Sequence, residues 1–204
     1  MLEKLVVKHA APTLACLKAA NIFGFRGQDE EIESELERLN AELNEKDVYV
    51  TTLCRCSGRA LICVYRCHAL KKILSDPSAG RLLKDLGYPE TALDYSCQGE
   101  RMADIPDNCL CREIVESYLA HLAKRVSASE KFPHEIGIFL GYPLEDVLGF
   151  IREGGKNYKL SGMWKVYGDR DKACRLFAMF EHCARVYEKV FQSGRSLRDL
   201  TVAS

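Results

Sequence analysis

Between Lys131 and Tyr167 the chain sets six glycines and two prolines among His134, Glu135, Asp146, Lys156, Trp164 and Lys165. Glycine opens backbone conformations closed to other residues, while proline fixes φ and removes a hydrogen-bond donor. The stretch is therefore committed to short elements joined by tight corners. His134 to Leu140 reads as a short helix with Gly141 as its terminating residue, and Pro143 suits the first turn of a second helix ending near Glu153. Asn157 to Leu160 and Met163 to Tyr167, separated by Ser161 and Gly162, read as a short hairpin.

The rest of the chain supplies longer elements. From Asp29 to Lys46, Ile32, Leu36, Leu39 and Leu43 recur at helical spacing behind an acidic first turn, which predicts an amphipathic helix. Its apolar stripe is expected to bury against a β-hairpin of Val48 to Leu53 and Ala60 to Tyr65, both rich in β-branched and aromatic residues and joined by a turn at Cys56 to Arg59. Leu70 to Leu86 reads as helix interrupted near Asp76-Pro77, and a further helix is expected from about Leu110 to Val126. A last helix, about Asp169 to Gln192, turns Ala173, Leu176, Phe177, Phe180, Ala184, Tyr187 and Phe191 to the core. Leu5 to Phe25 fits helix and strand periods equally, and Glu90 to Asn108 reads as a long connection, a linker or lid.

These elements make an α+β protein: an antiparallel hairpin or sheet packed with helices, and a helical carboxy-terminal half with one short hairpin. At 204 residues it is expected to form one domain, with 1–89 and 110–204 as the alternative subdivision. Twenty-nine basic residues balance twenty-nine acidic ones, so no global field draws in nucleic acid. A helix, a turn, a second helix and a hairpin are also the outline of a winged-helix DNA reader. The reading helix would carry Glu145, Asp146 and Glu153 against Arg152 alone, which repels phosphate, although Lys156, Lys159 and Lys165 would give such a wing some positive charge. The start has no signal-like apolar core and no apolar run reaches a membrane span, so a cytoplasmic protein without membrane contact is expected.

Ten cysteines raise the question of a metal. Cys54, Cys56, Cys63 and Cys67 with His68 offer soft ligands, but the Cys-x-x-Cys pairing of zinc knuckles is missing. On the expected hairpin, Cys54 and Cys67 stand about 20 Å apart at ~3.3 Å per residue, too far to share an ion. Reduced thiols, buried or at the surface, and no metal are expected.

Other candidates carry a plainer reading beside the chemical one. His134 and Glu135 can move protons, yet they also suit a helix start, where the dipole favours an acid. Gly154-Gly155-Lys156-Asn157 can hold an anion in a loop, yet glycines after a helix also simply end it. Trp164 can stack on a ligand or cover the core.

Phe132-Pro-His-Glu-Ile-Gly137, Leu140-Gly-Tyr-Pro-Leu-Glu-Asp-Val147, Gly149-Phe-Ile151 and Trp164-Lys-Val-Tyr167 together resemble a family catalogued as domain of unknown function 3793, found mainly in anaerobic Gram-positive bacteria. Ala11-Pro-Thr-Leu-Ala15, Leu17-Lys18, Asn21-Ile-Phe23 and Val64-Tyr-Arg66 extend the resemblance over nearly the whole chain. It implies no activity. Ala10 and Ser161 stand where relatives are expected to carry cysteine, so any metal role of those cysteines would not extend to this chain.

The expected site is a cytosolic small-ligand site, with an enzymatic role left open, where the Lys18 region meets the 131–167 stretch. His134 or Glu135 would handle protons, Lys156, Asn157 and Lys165 would meet an anion, and Tyr142 or Trp164 a planar portion; no motif names a cofactor. A noncatalytic protein-interaction or regulatory module is the alternative.

Overall fold

The computed structural model describes residues 1–56, 58–89, 107–128 and 132–203, apart from the side chains of 56 and 107–110. The long connection expected from Glu90 to Asn108 falls almost wholly outside the described residues, as do Cys97 and Lys131.

The ambiguous first segment divides in two: helix α1, Leu2–Leu14, and strand β1, Ala20–Arg26. Both periods were present in it because both structures are. Helix α2, Asp29–Leu43, continues into a 3-10 turn at Asn44–Lys46. Strands β2, Val48–Cys56, and β3, Arg59–Arg66, form the expected hairpin, with Cys56 opposite Arg59 and Val48 opposite Arg66. Strand β1 adds antiparallel to the other side of β3, giving the order β1-β3-β2.

Alternation along β3 explains how this small sheet organises the molecule. Ala60, Ile62 and Val64 join Phe23, Phe25, Val48 and Val50 in one apolar cluster with α1, α2 and the carboxy-terminal segment. Leu61, Cys63 and Tyr65 face a second cluster, built with the helices that follow. Period-two patterning thus buries both faces of the sheet. The second layer holds α3, Cys67–Leu74, α4, Pro77–Asp85, and α5, Asp107–Ala128. Asp76 caps α4 by accepting from the amides of Ser78 and Ala79, with Pro77 at the first helical position.

The glycine-rich stretch forms α6, Ile136–Phe139, α7, Leu144–Glu153, and a two-residue hairpin, β4, Leu160–Ser161, with β5, Lys165–Val166. Helix α8, Arg170–Gln192, packs on the hairpin at its beginning and on α1 farther along. A last turn, α9, Leu197–Leu200, which has no counterpart in the sequence reading, seats Leu197 against α1.

One buried cation ties the chain together. Arg66 is 1 % exposed and donates to the carbonyls of Thr13 (2.6 Å), Leu14 (2.7 Å), Lys46 (3.1 Å) and Val202 (2.6 Å). The last carbonyls of a helix lack intrahelical partners and carry negative partial charge, so a guanidinium there satisfies both needs. Thr13 Oγ1 donates to Asn21 Oδ1 at 2.8 Å beside it.

Candidate functional site

Helix α6 stops where Gly141, at φ 70°, adopts the left-handed conformation. The amide of Tyr142 bonds to the carbonyl of Gly137, and that of Gly141 to the carbonyl of Ile138, a glycine-terminated helix end. Pro143 then sits just before α7 as its cap, one residue earlier than expected. A Cβ on Gly141 would lie 3.6 Å from the Cβ of Ala19, so the segment after α1 packs directly on this corner.

Tyr142 lies between two partners. The Lys18 ammonium is 5.3 Å from its ring centroid, and its ring stacks on Trp164 at 4.6 Å. Phe177 of α8 meets Trp164 edge-on at 4.4 Å. Burial pushes the Lys18 amine down to about 8, partly countered by the Cys63 thiol nearby. Among the described residues no carboxylate pairs with Lys18.

Asp146 holds the hairpin against α7. Its buried carboxylate accepts from Trp164 Nε1 (2.7 Å) and from the amides of Tyr167 (2.7 Å) and Gly168 (2.8 Å). The consequence is a groove of about 380 Å³ between the 132–137 segment, α7 and the hairpin, lined among others by Pro133, His134, Tyr142, Phe150, Trp164 and Lys165. His134 is exposed and meets Phe150 edge-on at 4.9 Å. The Lys165 ammonium donates to the Gly155 carbonyl at 2.6 Å and lies 5.7 Å and 4.8 Å from the Phe150 and Tyr158 ring centroids.

Four of the expected residues, His134, Tyr142, Trp164 and Lys165, thus share one groove, with Lys18 behind Tyr142. Lys156 and Asn157 are exposed on the loop after α7 and do not line it. Asn157 Nδ2 donates to Glu153 at 3.0 Å. Glu135 faces elsewhere: it is 2 % exposed, pairs with Arg125 of α5 and accepts from the Tyr88 hydroxyl at 3.2 Å. Burial, then the Glu135 carboxylate, raises the Tyr88 phenol well above its ordinary range.

Tyr88 and Asp146 received no site role from the sequence. A signal for Tyr88 was present, since Leu-Gly-Tyr-Pro occurs at 86–89 and again at 140–143. Gly87, at φ 79°, ends α4 with the same pair of backbone hydrogen bonds as Gly141. Among the described residues no three metal-ligating side chains converge.

Residues 6–201 match the family model described as Protein of unknown function (DUF3793). The chain belongs to the DUF3793 family. No curated protein and no solved structure matches it. Two of the segments that carry the family resemblance, Val64-Tyr-Arg66 and Ala11-Pro-Thr-Leu-Ala15, are joined through Arg66 to the Thr13 and Leu14 carbonyls. Two others, Leu140 to Val147 and Trp164 to Tyr167, are joined through Asp146. In this chain those segments therefore meet at two buried polar junctions, one of which forms a wall of the groove. Among the described residues no helix is long and apolar enough to cross a membrane.

Proposed function

We propose that this DUF3793 protein binds a small anionic ligand with a planar apolar portion in the groove beside α7, and that His134 exchanges a proton with it. The observation that carries this reading is the convergence of aromatic walls, an imidazole and an ammonium in one concavity. Tyr142, Phe150 and Trp164 offer faces or edges for a flat group. Lys165 gives one hydrogen bond to Gly155, which leaves two of its three N–H donors for an anion. Lys156 and Asn157, on the neighbouring loop, would meet a ligand that extends beyond the groove. His134 suits proton exchange because it is exposed at the groove, whereas the Glu135 carboxylate is engaged by Arg125 and Tyr88.

The test is a panel of aromatic and aliphatic carboxylates and phosphate esters, read by Trp164 fluorescence and by thermal unfolding. A saturable response to one class, weakened at least about tenfold by Lys165→Ala as expected for a lost charge-assisted contact, supports the reading. A panel without response, or a response untouched by both Lys165→Ala and His134→Ala, overturns it.

A second reading, a noncatalytic interaction module, is favoured by α7. Leu148 and Ile151 are 41 % and 38 % exposed, three residues apart and so on one helical face. Under this reading Leu148→Glu abolishes cross-linking to a protein partner and His134→Ala leaves it intact.

A further inference from the structure

Cys67 begins α3 immediately after β3, and Cys111 lies in the opening turns of α5. Both are 1 % exposed, and their sulfurs are 3.2 Å apart with no bond between them. A disulfide requires ~2.05 Å, so about 1 Å of side-chain adjustment separates contact from bond. Nothing else in the described chain brings two thiols together in this way.

We propose that Cys67 and Cys111 are a redox pair that a peroxide closes into a disulfide, stapling the start of α3 to α5. In the first step one sulfur attacks the peroxide oxygen, the O–O bond breaks, and a sulfenic acid and water form. In the second the other sulfur attacks the sulfenic sulfur, its proton leaves with the displaced hydroxyl as a second water, and the S–S bond forms. Two thiols and one hydrogen peroxide give one disulfide and two waters; the two sulfurs together lose two electrons and the peroxide gains them.

The surroundings choose the oxidant. Both thiols are 1 % exposed in a buried cluster with Tyr65, Leu70 and Val115, which disfavours a bulky disulfide reagent, whereas hydrogen peroxide is little larger than water. Burial and the neighbouring thiol also hold Cys67 in its protonated form, so the closure is slow beside oxidation of an exposed cysteine. The pair therefore answers sustained peroxide and ignores a brief pulse.

The test exposes the native protein to hydrogen peroxide, then unfolds, alkylates and maps it by tandem mass spectrometry, with exposed Cys16 and Cys174 as internal controls. The expected product is a Cys67–Cys111 linked peptide, lighter by two hydrogen atoms, reversed by dithiothreitol and missing from Cys111→Ser. The wild-type map decides the matter even if that variant fails to fold. Alkylatable Cys67 and Cys111 after prolonged oxidation of Cys16 and Cys174 overturn the proposal. So does Cys67 linked to another thiol, Cys109 included, or converted to sulfinic acid without a link.

Discussion

The Lys18 ammonium lies over the ring of Tyr142 at 5.3 Å, and Tyr142 in turn stacks on Trp164, the sole tryptophan. The contact joins the segment between α1 and β1 to the α6–α7 corner. It also puts a largely buried charge where a cation–π attraction of ~0.5–2 kcal/mol is its visible compensation.

That charge makes stability depend on pH in a definite direction. The native amine titrates near 8 and the unfolded one near 10.5. Between these values the unfolded chain binds more protons, so stability rises with pH across that window and the cost of the charge is fully present below pH 8. Lys18→Met should stabilise the protein at pH 7 by about 1–3 kcal/mol, less the lost cation–π attraction, with the gain shrinking to nothing above pH 10.5. Urea unfolding of both proteins at pH 7 and pH 10 measures it.

Asp146 accepts three hydrogen bonds, one of them buried and two part-buried. Asp146→Ala leaves those donors unsatisfied and should cost about 3 kcal/mol or more. Trp164 emission should shift to the red as the hairpin loosens from α7. An unchanged spectrum with an unchanged unfolding midpoint would remove Asp146 from its place in the site's architecture.

Adjacent residues 134 and 135 should separate cleanly. Glu135→Gln removes a buried carboxylate charge from a pair whose arginine is 34 % exposed, and should cost about 1–2 kcal/mol. His134→Ala removes an exposed ring and should stay within about 0.5 kcal/mol of wild type while abolishing proton-linked ligand responses. Comparing unfolding curves with ligand titrations for the two variants checks the division.

Gly149 is where α7 comes closest to Tyr167: a Cβ there would fall 2.4 Å from the ring. Gly149→Ala should therefore cost about 1–3 kcal/mol by overpacking, despite alanine's better helix propensity. A stabilised Gly149→Ala in thermal unfolding would contradict the packing of Tyr167 on α7.

Much of the fold was legible because its signals are local. The stripe Ile32, Leu36, Leu39, Leu43 and the β-branched runs on either side of Gly58 specify α2 and the β2–β3 hairpin without reference to distant residues. Strand β1 was obscured because Ile22-Phe23-Gly24-Phe25 follows α1 so closely that one window holds two periods. At the site, residue type and spacing brought His134, Tyr142, Trp164 and Lys165 to notice. They could not tell that Glu135 faces Arg125, because the turn from residue 134 to 135 reverses the exposure of neighbouring side chains. Lys156 and Asn157 shared the glycine-rich segment with Lys165, yet the left-handed backbone at Gly154, Gly155 and Asn157 leaves them on the outside.

The Arg66 junction sets an order in time. Its acceptors include carbonyls at the end of the first helix and one at Val202, and the apolar face of α1 is covered in part by Tyr187, Phe191 and Leu197. During synthesis the first helix therefore emerges long before the residues that cover it. A chain halted after α7 would carry an exposed apolar helix and an incompletely surrounded guanidinium, conditions that favour aggregation or capture by a chaperone. Residues 187–202 act as the latch on α1, so folding to the native state waits for α8 and α9 to arrive.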